Sequence, residues 1–373
     1  MEAKITLRDK FRGCIAGSWV GSAMGAAVEG WSPERIRQTY GFLDRLLPYR
    51  HYTSSTHWQR PAGTTEDGIE RQKLIATAII EKRGAITAGD LVEVWLRDLD
   101  PERMIYKQER FDIALLELVR AGVPPSELGR LYLFPNVVSL ARSSHPLGLI
   151  HAGDPEEAAE VTFEVGKVYA RETSPALRWA ALYNAAIAEA CKPDATVESV
   201  LEVALKFTTY RAEKGSLYSS YDTIESELRR ALEIVSKHTD PGMMREEFYR
   251  LYDGGRYITY GMSQANEVVA KGIALFAFTR GDPREAILLA VNFGRDTDCL
   301  AAVAGGLAGT LSGIKAVPPE WVAQVNEATL QDPYTNSRRT IEETADGLFE
   351  AFLARRQKMR EYLEMMDAPG YLS

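Results

Sequence analysis

Cysteine is scarce in this chain. Three residues of 373 (Cys14, Cys191, Cys299) are too few and too scattered for a disulfide framework or a cysteine-built zinc site. The five histidines (His51, His57, His145, His151, His238) include no HExxH or comparable pair. No block of Lys and Arg stands out and the net charge is −8. That removes the electrostatic footprint of a nucleic-acid binder or a polybasic membrane binder. No apolar run reaches the roughly 20 residues that span a bilayer. Strand signals are also missing, with no series of alternating apolar runs joined by hairpin turns. Neither a Gly/Ser-rich nor a Pro-rich linker divides the chain, and there is no internal repeat. What survives these absences is a reduced, cytoplasmic protein with a large core, read as one domain over 1–373, with no nucleic-acid or membrane partner.

What is present is helical periodicity. Apolar residues recur at helical spacing over 69–82, 111–121, 177–191, 266–278, 283–292 and 340–366. The expected fold class is therefore all-α, a compact multi-helix bundle. The small-residue stretch Cys14–Val28, behind Lys10 and Arg12, has the look of a signal-peptide core. It contains Ser18, Gly21, Ser22 and Gly25, runs into Glu29 and lacks a cleavage pattern, so it reads as a buried helix. Three long segments, 47–65, 208–223 and 252–264, are rich in Tyr, Ser and Gly. Such loops serve either as surface connections or as functional segments, and at least one of the three is expected to be functional.

Two acidic stretches open helices. Gly63-Thr64-Thr65-Glu66-Asp67-Gly68 precedes the pattern of 69–82, and Gly294-Arg295-Asp296-Thr297-Asp298-Cys299 precedes the run Leu300–Leu311. The plain explanation is helix capping, with Thr64 and Asp67 as a capping-box variant and carboxylates suited to the helix dipole. A second explanation weighs against it. Asp296 and Asp298 are two apart, which does not share a helix face but does converge on a turn. The following helix carries Ala301, Ala302, Ala304, Gly305, Gly306, Ala308 and Gly309, a composition costly in helix propensity unless close packing requires it. A central helix with two carboxylates at its mouth makes a hard-oxygen site, suited to magnesium or manganese rather than zinc. Two such helix starts can hold two ions side by side.

In this combination the sequence resembles the ADP-ribosylglycohydrolase family, as a divergent member. The resemblance rests on Gly21-Ser22-Ala23-Met24-Gly25 followed by Val28-Glu29, on Thr65-Glu66-Asp67, and on Asp296-Thr297-Asp298 ahead of Ala301-Ala302-Val303-Ala304-Gly305. It implies an all-α orthogonal bundle with a two-magnesium centre in a cleft, and hydrolysis of a bond from ribose C1. Thr65, Glu66, Asp67, Asp296 and Asp298 would build the metal centre. Glu29, Glu66 and Asp67 would be the catalytic carboxylates, Glu29 or Glu66 taking the proton of the attacking water.

Several positions depart from the family pattern. Glu66 and Ser22 each stand where the family has Asp, and Cys299 replaces a hydroxyl residue. A neutral thiol is a poor ligand for magnesium. The family's Asn-Gly-x-x-Met-Arg stretch is replaced by Val138-Ser139-Leu140-Ala141-Arg142-Ser143, although Pro146-Leu147-Gly148 is kept. A Thr-His pair is replaced by Thr173-Ser174. These segments hold ADP-ribose in the relatives, so their change favours a smaller N-riboside over ADP-ribosyl protein. His145, His57 and Trp58 are candidate substrate contacts. For His145 the plainer reading is a structural histidine on a turn, and for His57 and Trp58 it is ordinary packing. The expected function is magnesium-dependent cleavage of a ribosyl C1–N bond. The alternatives are an ADP-ribosyl-protein hydrolase and an inactive metal- or ribose-binding relative.

Overall fold

The computed structural model describes residues 4–51, 56–134, 136–212, 224–252 and 262–367. Nineteen α-helices and two isolated bridges, Tyr49–Arg60 and Val137–Gln264, organise these residues, and no strand occurs among them. The helices expected from periodicity are present as Asp67–Lys82, Arg110–Arg120, Pro175–Ala190, Ala265–Phe278, Pro283–Val291 and Ile341–Met366. Their starts carry local signals. Ser174 and Asp282 cap helices whose first residue is proline, and Thr340 with Glu343 forms a capping box. No helix among the described residues is long and apolar enough to cross a membrane.

Two small-residue helices form the centre, Leu7–Gly25 and Thr297–Ser312. They run antiparallel with a glycine at every fourth position of the first. A Cβ on Gly13, Gly17, Gly21 or Gly25 would overlap the backbone of Gly309, Gly305, Ala301 or Thr297 respectively. Each glycine costs about 1 kcal/mol of helix propensity relative to alanine. Backbone-to-backbone approach is what it secures in return. Helix Pro283–Val291 packs on the same pair, and Ile287 lies against Gly305. The stretch Cys14–Val28 is accordingly a core helix and its 3-10 extension, as its composition implied.

Of the three long segments, 47–65 is irregular where described and is pinned by the Tyr49–Arg60 bridge, with reciprocal N–H to O distances of 3.0 and 2.9 Å. Residues 52–55, 213–223 and 253–261 lie outside the described residues. The capping expectation for the first acidic stretch needs correction. The N-cap of helix Asp67–Lys82 is Glu66, whose Oε2 accepts from Gly68 N–H at 3.2 Å, and not Thr64.

Candidate metal centre

The two central helices bring the acidic segments together at one end. Thr297 Oγ1 donates to the Gly25 carbonyl at 2.8 Å, and Gly25 lies directly against Asp298. Just beyond, Gly30 N–H donates to Arg295 O and Arg295 N–H to Trp31 O, both at 2.8 Å. Gly294 and Arg295 both have positive φ, 83° and 66°, unusual for a residue with a side chain. This strained turn delivers Asp296 to the mouth of its helix beside Glu29. The Arg295 side chain pairs with Glu267 at 2.6 and 3.0 Å.

Capping does not account for Asp296. It sits at the N-cap position without a side-chain capping bond. Both its carboxylate oxygens are buried with no hydrogen-bond partner among the described residues, as are Asp298 Oδ1 and Glu29 Oε2. Burial and the neighbouring Asp298 push the Asp296 pKa well above the usual carboxylate range. Burial, Asp298 and Asp296 do the same for Glu29. Buried polar groups in native proteins are almost always satisfied. Four orphaned carboxylate oxygens within one cluster mark a place where a cation fits. Ligand atoms of Asp296, Asp298 and Cys299 lie within 4.8 Å of one another. Burial holds the Cys299 pKa well above its ordinary value, so the thiol is neutral and adds little to a hard-oxygen site.

Glu66 and Asp67 arrive from the opposite side. Lys107, buried, fixes the preceding backbone by donating to the Thr65 carbonyl and pairing with Asp332 at 2.7 Å. Glu66 Oε1 accepts from Ser22 Oγ at 2.9 Å. Two of the departures from the family pattern therefore touch each other: the longer carboxylate meets a hydroxyl in place of a second carboxylate. Asp67 Oδ2 pairs with Arg71 Nη2 at 2.5 Å, and Arg71 in turn holds Asp112 at 2.7 and 2.9 Å.

Arg142 links the two halves. Its Nη2 donates to Glu66 Oε1 and, at 2.8 Å, to Asp298 Oδ2. Its Nη1 donates to Asp67 Oδ1 at 3.2 Å. Both acidic motifs thus meet on one guanidinium. Gly68 makes room for it, since a Cβ there would collide with the Arg142 guanidinium.

A cavity of about 230 Å³ opens on this cluster, with Glu29, His51, Asp67, Arg142 and Cys299 on its polar side and Phe111 and Phe134 on its apolar side. His51 Nε2 lies 3.5 Å from Glu29 Oε2, and burial, with Arg60, lowers its pKa to about 4. Asp296 and Asp298 do not line the cavity; Arg142 and Cys299, which contact Asp298, do.

The substrate-contact candidates sit elsewhere. His145 is fully buried. Gln72 Nε2 lies 3.0 Å from its Nδ1, and Ala302 O and Tyr183 Oη lie 3.2 and 2.9 Å from its Nε2. Gln72 donates to Nδ1, so the Nε2–H tautomer donates to Ala302. The residue is a polar pin between three helices. His57 is exposed, and Trp58 packs edge-on against Tyr334 at 4.8 Å. None of the three lines the cavity.

Arg142, Arg71, Asp112 and His51 were not picked out from the sequence. Arg142 had a readable signal in its place just before the retained Pro146-Leu147-Gly148. Arg71, one turn after Asp67, had the spacing of an ion pair. Nothing local marks Asp112 or His51.

Comparison with known proteins bears on the fold and the family. The all-helical fold is that of a solved chain from an ADP-ribosylglycohydrolase-related protein complex, with a TM-score of 0.62 and 20% identity, over 93% of this chain and 98% of that one. The class is therefore the ADP-ribosylglycohydrolase type of helical protein. The ADP-ribosylglycohydrolase family model matches residues 3–358, and the chain belongs to that family of hydrolases, which generally uses divalent metals. It is 24% identical to the uncharacterized protein YegU of Escherichia coli, over 87% of this chain and 94% of that protein. It is 27% identical to an uncharacterized protein of Archaeoglobus fulgidus, over 92% and 97%. A 41-residue segment is 56% identical to the ADP-ribosylarginine hydrolase Tri1 of Pseudomonas putida, covering 11% of each.

Proposed function

We propose that the protein is a divalent-cation-dependent hydrolase that cleaves the C1–N bond of a small N-riboside. The observation that carries this reading is the set of orphaned oxygens on Asp296, Asp298 and Glu29 beside a cavity of about 230 Å³. That volume falls below the roughly 300–1,000 Å³ of pockets for drug-sized ligands. It suits a pentose with a compact leaving group better than a dinucleotide-sized ligand.

Asp296, Asp298 and Glu29 would hold the cation. Magnesium is the first choice and manganese the second, because the donors are hard oxygens. When bound, it supplies an anchor for sugar hydroxyls and an electrophilic centre near C1. The chain does the rest. The cavity walls orient the ribose so that departure of the nitrogen group leaves positive charge facing the carboxylates. Glu29 lines the cavity; with Oε2 toward the cation, its other oxygen takes the proton of the attacking water and passes it to the departing nitrogen, which leaves protonated. Glu66 is enclosed by Ser22, Gly68 and Arg142 and serves as a positioning carboxylate. Phe111 and Phe134 face the leaving group and keep it dry.

A second reading, hydrolysis of ADP-ribosylarginine, is favoured by the segment shared with Tri1. One experiment separates the two: ribose or ADP-ribose release is followed from small N-ribosides and from an ADP-ribosylarginine peptide, with magnesium, with manganese and with chelator. The proposal expects cation-dependent turnover of small N-ribosides. It also expects a drop of about 10²- to 10⁴-fold in kcat for Glu29→Gln, the usual worth of a general base. Turnover of the peptide alone supports the second reading, and chelator-resistant turnover removes the cation from the chemistry.

A further inference from the structure

We infer that Arg142 is a built-in replacement for one of the two cations, so that each chain binds a single divalent ion, at Asp296, Asp298 and Glu29. The inference rests on the cation-dependent reading above and specifies the number of ions.

Three observations carry it. The first is occupancy. The Arg142 guanidinium lies where Glu66, Asp67 and Asp298 converge and donates to all three. A second ion bridging the motifs would need those same oxygens. The second observation is that the seat is made for this side chain. Gly68, in the first helical turn after Glu66, is the residue on which the guanidinium rests, and any larger residue there would strike it. Arg142 itself is buried, in helix Ser139–Ser143, and stands in the cavity wall. The third is the distribution of unmet charge. On the Thr65-Glu66-Asp67 side, the carboxylates Glu66, Asp67 and Asp112 face the guanidinia Arg142 and Arg71 and are nearly neutralised. On the other side, among the described residues, Asp298 Oδ2 takes the Nη2 of Arg142 at 2.8 Å, Glu29 Oε2 has His51 Nε2 at 3.5 Å, and the nearby Arg295 is held on Glu267. The orphaned oxygens lie on that side: both of Asp296, Oδ1 of Asp298 and Oε2 of Glu29. One divalent ion meets that deficit. A second would have to expel a guanidinium from three carboxylates.

A forked, permanently charged guanidinium satisfies several carboxylates at fixed geometry without needing to be captured from solution. The site would therefore keep its shape when the ion is absent, and Glu66 would remain positioned in the ion-free protein. The Ser22–Glu66 contact fits the same economy, because one carboxylate fewer on that side leaves less negative charge for a second ion to meet.

The test is the stoichiometry of Mn2+ on the purified full chain, read by electron paramagnetic resonance of free Mn2+ and by calorimetric titration, with no substrate present. Wild type is expected to bind one ion per chain and Asp296→Asn none. Arg142→Met should gain a second site and bind two. Gly68→Ala displaces the guanidinium without removing its charge, and should weaken the Glu66–Asp67 seat while wild-type-like binding at Asp296 persists within about tenfold. If Arg142→Met does not fold, as judged by circular dichroism, the wild-type stoichiometry and Gly68→Ala still decide the matter. Two ions of similar affinity on wild type overturn the inference and leave the cation-dependent function standing. No ion on wild type overturns both. One ion that survives Asp296→Asn also overturns it, because the single site would then lie elsewhere.

Discussion

Asp296 caps a helix by position and not by hydrogen bond, and the difference has a measurable consequence. Two buried carboxylate oxygens without donors burden the cation-free protein, since such groups cost about 1–3 kcal/mol each when left unsatisfied. Asp296→Asn removes the charge and supplies an N–H that can face Asp298, and should raise stability in chelator by roughly 1–3 kcal/mol, while abolishing the gain on adding Mn2+. In wild type that gain reaches about 2.7 kcal/mol when the ion is at 100 times its dissociation constant. Thermal melts of both proteins with EDTA and with Mn2+ check this. A variant that is less stable in EDTA and still responds to Mn2+ would contradict it. The opposite behaviour is expected at Arg71. Arg71→Met leaves Asp112 buried without its partner and should cost about 3–5 kcal/mol in urea unfolding, as breaking buried ion pairs does. Cysteine 299 belongs to the same scale: its thiol is held neutral by burial, so Cys299→Ser is expected to leave cation binding intact in the Mn2+ titration.

Among the helices, the antiparallel glycine pair sets where the carboxylates fall. Gly17→Ala would drive a methyl group into the Gly305 carbonyl, and backbone cannot swing aside as a side chain can. A loss of about 1–3 kcal/mol or more is expected, together with weaker Mn2+ binding, because the shift carries Asp298 with it. Gly84, whose Cβ would meet nothing within 4 Å, supplies the control. Gly84→Ala should stay within about 0.5 kcal/mol of wild type. Much of this scale was legible in advance. Ala301 to Gly309 announce close packing because so many small residues are costly in an isolated helix, and the Asp-x-Asp ahead of them cannot be explained by helix faces alone. The matching register of Gly13, Gly17, Gly21 and Gly25 was open to reading as a period of four, yet it gains meaning only when the partner helix is known. Arg142 and His51 were less legible. They reach the site by tertiary packing of segments far apart in the chain, and a lone arginine or histidine carries no period to betray it. His145, for which a structural role was the plainer reading beside substrate contact, pins three helices, since a polar ring in an apolar turn marks burial as readily as chemistry.

At the level of the whole molecule, buried neutral histidines tie stability to pH. Burial lowers His145 to about 4 and His151 to about 3, against about 6.5 in an unfolded chain. As pH falls below 6.5 the unfolded chain takes up protons that the folded chain refuses. Their contribution is therefore complete above pH 6.5 and lost progressively as pH falls, toward about 4 for His145 and about 3 for His151. Glu29 and Asp296, raised by burial and by neighbouring carboxylates, act in the opposite sense and gain stability as pH falls. A variant isolates the histidine part. In His151→Leu, the stability lost between pH 7 and pH 5 should be smaller than in wild type by about 2 kcal/mol, one histidine's share over 1.5 pH units, as read from urea unfolding at the two pH values. The same packing that buries these rings closes the three acidic segments around one point. The most direct measurement of that convergence is anomalous diffraction from crystals of the full chain grown with Mn2+. A peak within coordination distance of Asp296 and Asp298, with Arg142 still seated on Glu66 and Asp67, is the predicted result. Saturating Mn2+ that leaves those aspartates without a peak, or places its only peak elsewhere on the chain, would contradict the account.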